Sequence, residues 1–311
     1  MNHMNGPLGG HGITFLGPQG CSLADGIRHA GGTLVQSQPA GVVVDYSTAP
    51  SELRELVRAE AGIRWVQLPT AGIEAFAESL AERPDIVWTS AKGAYAKPVA
   101  EHALALVLAL LRELPKRVVA RSWAERSGRS LHGMNAVVVG AGGVALEAIR
   151  LLRVFDVKVT AVRRLQDPVP GAERTIGITE LPGILPDADV VILAASLTPT
   201  TRGLFGADEF SLMKESAVLV NIARGGLVDT EALVAALRKG DIAGAGLDVT
   251  DPEPLPDGHP LWDEPACLIT PHSADTLEMI MPLYRSRIET NVQRFLAGQE
   301  LDGLVDAGAG Y

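Results

Sequence analysis

In the N-terminal part of the chain, short apolar runs alternate with segments whose apolar residues recur at helical spacing. The segment Ser51–Arg58, for example, opens with a residue that often caps helices and then places Leu and Val three or four positions apart. Strands that alternate with helices are typical of a parallel sheet covered on both faces. We therefore predict a small α/β domain over residues 11–98, with strands at residues 12–16, 41–45, 63–68 and 85–89.

A longer and more apolar segment follows, from Pro98 to Leu114. The proline at its start and the nearly continuous Ala, Leu and Val after it predict a buried helix. Because this helix is apolar almost all round, we expect it to pack between domains or against a second subunit.

A second set of alternating elements begins at Met134. Its strand-like runs, separated by helical segments, favour a doubly wound sheet in a cofactor-binding domain, which we assign to residues 99–282. A final helix, roughly Met279 to Ala297, returns the chain to the first domain, which residues 283–311 complete. The six predicted strands lie near residues 134–139, 157–162, 190–194, 217–221, 243–248 and 267–270.

Composition narrows the class of protein. With 311 residues, 47% of them hydrophobic, the chain is long enough for two cores, and its net charge of −10 argues against nucleic-acid binding through a general basic surface. No run of about 18 uncharged apolar residues predicts a membrane span, and the first ten residues lack the features of a signal peptide. Cys21 and Cys267 are too few for a disulfide framework and have no metal-binding spacing, so we expect a cytoplasmic protein without a metal site.

The first strand of the second domain leads into the sequence Gly140-Ala-Gly142-Gly143-Val144-Ala145, which has the dinucleotide-binding pattern G-x-G-x-x-A. Gly140 permits the tight turn, Gly142 lets a pyrophosphate approach the backbone, and Ala145 permits close packing of helix on strand. The amides of Gly143 and Val144 lie where a helix N-terminus favours phosphate. A glycine turn without a ligand is the alternative, which the flanking strand and helix disfavour.

The next strand ends at Arg163 and Arg164, where an acidic residue would bind the ribose 2′-hydroxyl of NAD. Asp156 and Asp167 are too far from this position to substitute. An arginine pair instead suits a 2′-phosphate, so NADP is the preferred cofactor. A solvated arginine pair is the alternative, and with it NAD is possible.

Arg224, Glu253 and His272 follow later strands of the same predicted sheet. Each alone is an ordinary loop residue, but ligands bind at the carboxyl ends of strands in doubly wound sheets. A guanidinium, a carboxylate and an imidazole beside a nicotinamide are what interconversion of 2-keto and 2-hydroxy acids requires. The other histidines lie elsewhere, with His102 in the apolar helix.

Several motifs surround these residues: Leu197-Thr-Pro-Thr-Thr-Arg-Gly203, Val220-Asn-Ile-Ala-Arg-Gly-Gly-Leu-Val-Asp229, Gly246-Leu-Asp-Val249 with Pro252-Glu-Pro254, and Pro260-Leu-Trp262 with Thr270-Pro-His272. They resemble the motifs of the D-isomer-specific 2-hydroxyacid dehydrogenases. The resemblance covers nearly all of residues 60 to 280 and implies two doubly wound parallel-sheet domains, a Rossmann cofactor domain and a smaller flavodoxin-like substrate domain. One departure is Ala194-Ala-Ser196, where the family commonly has a His or Cys and a Pro.

The resemblance also implies a role for each site residue. Arg224 binds the carboxylate and carbonyl oxygen of the keto acid, His272 donates and accepts the proton, and Glu253 orients the imidazole. Asp248 anchors the nicotinamide amide with the Ala223 backbone nearby. The implied substrate and cofactor contacts also include the amides of Ala71, Gly72 and Ile73, for which a plain glycine turn is the alternative, and Thr198.

These expectations combine into a function. The chain reduces a small 2-keto acid of the glyoxylate or hydroxypyruvate type to the D-2-hydroxy acid with NADPH, and it forms a homodimer through the cofactor domain and the helix 98–114. An NAD-dependent enzyme such as phosphoglycerate dehydrogenase is one alternative. A dinucleotide-sensing, corepressor-like binding protein is another.

Overall fold

The computed structural model describes residues 12–18, 21–123, 125–165 and 167–306, so both outer ends of the predicted first domain (residue 11 and residues 307–311) lie outside it. The strands are β1 Gly12–Leu16, β2 Thr33–Leu34, β3 Gly41–Val44, β4 Trp65–Gln67, β5 Val87–Thr89, β6 Asn135–Val139, β7 Lys158–Val162, β8 Arg174–Ile176, β9 Val190–Leu193, β10 Val218–Asn221, β11 Gly244–Leu247 and β12 Cys267–Ile269. The α-helices are α1 Ser22–His29, α2 Pro50–Ala59, α3 Ala77–Glu82, α4 Ala96–Leu111, α5 Leu114–Val118, α6 Gly143–Arg153, α7 Ala207–Leu212, α8 Thr230–Lys239 and α9 Leu277–Ala297.

The chain divides into two compact units. The first contains the residues up to Tyr95 together with those from Thr276 onward, and the second is Ala96–Asp275. None of the helices in the described ranges is long and apolar enough to cross a membrane.

The first unit contains a five-stranded sheet in the order β2-β1-β3-β4-β5. Every strand pair is parallel. The strand order is the flavodoxin-like order 2-1-3-4-5. The flavodoxin-like arrangement is therefore confirmed. The sequence pattern did not indicate β2 and α1, because a two-residue strand has no detectable periodicity and glycine interrupts the helical segment.

Helix α9 belongs to this first unit although it is the last helix of the chain. The Tyr284 hydroxyl donates to the Val44 carbonyl oxygen at 2.7 Å, and the Asn291 amide donates to Gln67 Oε1 at 2.7 Å. All three side chains are fully buried. Because a buried polar group without a partner is costly, these bonds specify how α9 joins the sheet.

The second unit contains a seven-stranded sheet in the order β12-β11-β10-β9-β6-β7-β8. All of its strand pairs are parallel, and the strand order reverses between β6 and β9, as in a Rossmann fold. The predicted Rossmann architecture is confirmed, but the prediction of six strands was one short. The seventh strand, β8, has only three residues and begins with the exposed Arg174. Its sequence therefore has no apolar pattern that predicts a strand, and β8 is defined by its pairing with β7.

Helix α4 packs against α6 and against the strands β10 and β11. It ends at Leu111, three residues before the predicted end, and the chain turns at Glu113, whose φ of +51° lies in the left-handed region. The carboxyl ends of β6, β7, β10, β11 and β12 meet at one edge of the sheet, because all of these strands are parallel. The predicted catalytic residues follow these strands, as do all predicted cofactor contacts except Thr198, which follows β9.

Candidate active site

The turn between β6 and α6 requires glycine at Gly140. Its φ is +123°, and a Cβ atom at this position would overlap the backbone carbonyl of Ala194, which follows β9. The Gly140 N–H donates to the Val162 carbonyl at 2.8 Å. The turn is therefore held tightly between two neighbouring strand ends.

Gly142 has the opposite environment. Its φ of −78° is open to any residue, and a Cβ atom built there would meet no atom within 4 Å. Helix α6 begins at the next residue, Gly143, and no side chain caps it. An open surface above uncapped helix amides, including those of Gly143 and Val144, fits the pyrophosphate of a dinucleotide.

Arg163 and Arg164 directly follow β7. The Arg163 backbone N–H donates to Ile176 of β8 at 3.0 Å, which fixes the position of the chain at this edge. The Arg163 side chain is half-buried and that of Arg164 is exposed. Within the described ranges, neither guanidinium pairs with another side chain, so both can meet an anion here.

The backbone that carries Arg224 is held by the fully buried Asn221. The Asn221 amide donates to the Arg224 carbonyl at 2.9 Å, and its oxygen accepts the Ala223 N–H at 3.1 Å. The next residue, Gly225, packs so closely that a Cβ atom would overlap the Thr250 carbonyl. The motif Val220–Asp229 contains Asn221, but only the fold shows that this residue positions Arg224.

Glu253 and His272 are in direct contact. Oε1 of Glu253 lies 2.7 Å from Nδ1 of His272, and the two side chains are 42% and 49% exposed. Because an ionised carboxylate only accepts hydrogen bonds, Nδ1 carries a proton and Nε2 faces away from the pair. Nε2 is thus the nitrogen of this imidazole that can exchange a proton with a bound molecule.

Asp248 is buried and holds the loop that contains His272. Its carboxylate accepts the N–H groups of Ser273 at 2.9 Å and Ala274 at 3.1 Å, and the Thr270 hydroxyl at 2.5 Å. His102 of α4 also reaches this cluster, with Nε2 at 2.9 Å from Thr270 Oγ1. The sequence alone places His102 outside the site, because the apolar pattern of α4 does not show which residue faces this loop.

Asp275 is a further acidic group near the site. Partial burial raises the pKa of its carboxyl, and the negative charge of Asp248 adds to that rise. The neighbouring His272 and Arg224 oppose it. The sequence alone does not indicate Asp275, because no motif distinguishes it from an ordinary loop aspartate.

Two further predicted contacts lie in other loops. In the second unit, Thr198 follows β9, and its N–H donates to Thr201 Oγ1 at 2.8 Å. In the first unit, Ala71, Gly72 and Ile73 follow β4 in a loop held by hydrogen bonds from Tyr95 to Pro69 at 2.6 Å and from Thr70 to Gly72 at 2.5 Å. In the part of the chain that the structure describes, the amides of residues 71–73 donate to no other group.

A Rossmann sheet with an open glycine turn, a guanidinium and a carboxylate–imidazole pair along one edge defines an NAD(P)-dependent oxidoreductase. Comparison with known proteins makes the assignment specific. Residues 104–274 match the family described as D-isomer specific 2-hydroxyacid dehydrogenase, NAD binding domain. The chain belongs to the D-isomer specific 2-hydroxyacid dehydrogenase family, and it is an NAD(P)-dependent dehydrogenase of this type.

Individual relatives agree with this family. An uncharacterized protein from Corynebacterium melassecola is 40% identical over 255 residues, which cover 80% of this chain and 84% of the relative. The glyoxylate reductase/hydroxypyruvate reductase of Homo sapiens is 37% identical over 182 residues, which cover 56% of each chain. The crystal structure of a D-isomer specific 2-hydroxyacid dehydrogenase from Xanthobacter autotrophicus Py2, in complex with NADPH and MES, superposes with a TM-score of 0.83 at 26% identity over 97% of this chain and 99% of that one.

Proposed function

We propose that the protein reduces a small 2-keto acid of the glyoxylate or hydroxypyruvate type to the D-2-hydroxy acid with NADPH. The contact between His272 Nδ1 and Glu253 Oε1 carries this proposal, because it leaves Nε2 as an oriented proton donor. Arg224, presented at the end of a neighbouring strand, provides the cation that a keto acid requires.

The chemistry follows from these groups. When bound, the nicotinamide supplies a hydride to the carbonyl carbon. The Arg224 guanidinium binds the substrate carboxylate and polarises the carbonyl oxygen. His272 Nε2 donates its proton to that oxygen, so the C=O group becomes CH–OH. Glu253 stabilises the charged imidazole before transfer, and the half-exposed ring regains its proton from solvent.

The cofactor preference is a separate part of the proposal. Arg163 and Arg164 would bind the 2′-phosphate of NADPH, and the amides of Gly143 and Val144 would bind its pyrophosphate. Two observations support this cofactor preference. Within the described ranges, neither guanidinium group pairs with another side chain. The similar structure from Xanthobacter autotrophicus Py2 is a complex with NADPH. The remaining cofactor contacts that we propose are Gly140, Thr198, Ala223 and Asp248.

The first unit has the substrate role in this proposal, and the second has the cofactor role. The amides of Ala71, Gly72 and Ile73 bind the substrate carboxylate. Two observations support this role, since Tyr95 and Thr70 hold the loop in shape and its amides donate to no other described group.

We also propose a homodimer. After α4, the chain exposes 74% of Val118, 67% of Val119 and all of Trp123. Large exposed apolar side chains such as these favour a contact surface. Sedimentation of the purified protein tests this, and a monomer at every concentration contradicts it.

Assays of the purified protein test the activity. Glyoxylate, hydroxypyruvate and 3-phosphohydroxypyruvate are each offered with NADPH or NADH, and cofactor oxidation is followed by absorbance. We expect turnover with the first two acids and NADPH, with a D-configured product from hydroxypyruvate. A preference for the phosphorylated acid and NADH supports the phosphoglycerate dehydrogenase alternative. Tight NADPH binding without turnover of any keto acid contradicts the enzyme proposal.

A further inference from the structure

His102 lies in α4, and Thr270 follows β12. Nε2 of His102 is 2.9 Å from Thr270 Oγ1 and 3.4 Å from Asp248 Oδ1. The Asp248 side chain is 1% exposed and that of His102 is 22% exposed. The family motifs and the catalytic chemistry described above assign no role to this histidine.

The direction of each hydrogen bond follows from the groups involved. Asp248 already accepts two backbone N–H groups, as an ionised carboxylate does, so Thr270 Oγ1 must donate its one proton to Asp248 Oδ1. The same oxygen then has only lone pairs for His102. His102 therefore donates an N–H from Nε2, and a relay of two hydrogen bonds runs from His102 through Thr270 to Asp248.

The relay ends on the loop that presents His272. His272 has a φ of +49°, in the left-handed region, which is unfavourable for a residue other than glycine. Its N–H donates to the Asp248 carbonyl at 2.9 Å, and the next two amides donate to the Asp248 carboxylate. Asp248 thus holds three consecutive backbone amides of this loop against the strain, and a rotation of its carboxylate releases two of them.

We infer that His102 is a positioning residue for the loop that contains His272, here called the catalytic loop. His102 acts through Thr270 and Asp248 to keep the His272 imidazole aligned with Glu253. This inference rests on the proposed function of His272. His102 touches neither the imidazole nor Glu253 in the structure; it determines where the Asp248 carboxylate points.

The test compares two substitutions at each of the two donors of the relay, His102 and Thr270. His102→Phe and Thr270→Val remove a donor, whereas His102→Gln and Thr270→Ser retain one. We expect the first pair to lower kcat about tenfold or more, because small displacements of a catalytic group are costly. The KM for the keto acid stays within about threefold, since Arg224 is unchanged. His132→Phe, a substitution of an exposed histidine outside this cluster, is the matched control.

One further measurement separates positioning from packing. The double variant His102→Phe/Thr270→Val loses no more activity than either single variant, because one relay is removed only once.

Hydrogen exchange gives a readout that does not depend on turnover. His102→Phe is expected to speed exchange of the amides of residues 272–274 selectively, even if the wild-type protein reduces none of the keto acids tested. Unchanged kcat and exchange in His102→Phe overturn the inference. An equal loss in His102→Gln, together with faster exchange throughout α4, also overturns it in favour of a packing role.

Discussion

Nδ1 of His272 lies 2.7 Å from Oε1 of Glu253, although the two residues follow different strands, β12 and β11. The parallel sheet brings them together, because both strands end at the same edge. The contact leaves the opposite nitrogen, Nε2, as the group available to a substrate.

Replacement of the acid–base group gives the most direct prediction. His272→Ala is expected to lower kcat by roughly 10²–10⁴-fold, the range that general acid–base catalysis contributes. Glu253→Gln should lower it less, since the imidazole remains but loses its charged partner. NADPH affinity, measured by fluorescence titration, should change little in either variant. Wild-type turnover by His272→Ala excludes the proposed acid–base role.

Arg224→Lys tests the keto-acid clamp. An ammonium cannot make the planar two-point contact of a guanidinium, so we expect kcat/KM to fall by roughly 10²-fold or more, a loss of about 3 kcal/mol. Arg238→Lys is the control, because that arginine pairs with Glu264 on an exposed surface. Equal effects of the two substitutions in steady-state kinetics contradict the role of Arg224.

The cofactor preference depends on a pair of charges. In Arg163→Gln/Arg164→Gln, the ratio of kcat/KM for NADPH to that for NADH should fall by roughly 10- to 100-fold, because charge-assisted bonds to the 2′-phosphate are lost. Arg174→Gln changes an exposed arginine at the start of β8, away from the carboxyl edge, and should leave the ratio unchanged. An unaltered ratio in the double variant rules out the 2′-phosphate contact.

The two glycines of the turn should respond differently to the same substitution. Gly142→Ala adds a methyl group to open space, so the folded protein should be nearly as stable as the wild type but bind NADPH more weakly. Gly140→Ala places the methyl group against the Ala194 carbonyl at a positive φ and should lower the free energy of unfolding by about 2 kcal/mol or more. Urea unfolding and cofactor titration distinguish the outcomes. Equal stability of the two variants contradicts the predicted difference.

Cysteine chemistry provides a prediction about pH. Burial raises the pKa of the Cys267 thiol to about 12, and the nearby Glu264 adds to the shift. Since the thiolate is the reactive form, iodoacetamide should modify Cys267 in the folded protein far more slowly at about pH 8 than in the unfolded protein. The rate in the folded protein should rise as the pH approaches the pKa. Equal rates, followed by mass spectrometry, contradict this prediction.

Several local features of the site could be predicted because neighbouring residues create them. The run Val137–Val139 before Gly140 predicts a buried strand that enters a glycine turn, and the structure has both. Strand β8 could not be predicted in the same way, since its three residues become a strand only by pairing with β7. Asn221 is part of the motif Val220–Asp229, yet its hydrogen bond to the Arg224 backbone depends on the turn after β10.

The order of residues is sufficient to predict the alternation of strands and helices, the glycine turn, and which charged side chains follow which strands. These properties arise from backbone preferences and apolar periodicity over short stretches of chain. Which distant groups meet depends instead on how the helices and sheets pack. His102 and Thr270 are 168 positions apart, and their contact exists because α4 packs against the sheet near its carboxyl edge. A helix apolar almost all round does not reveal in its sequence which polar residue faces the catalytic loop, because that orientation depends on the packing of the whole unit.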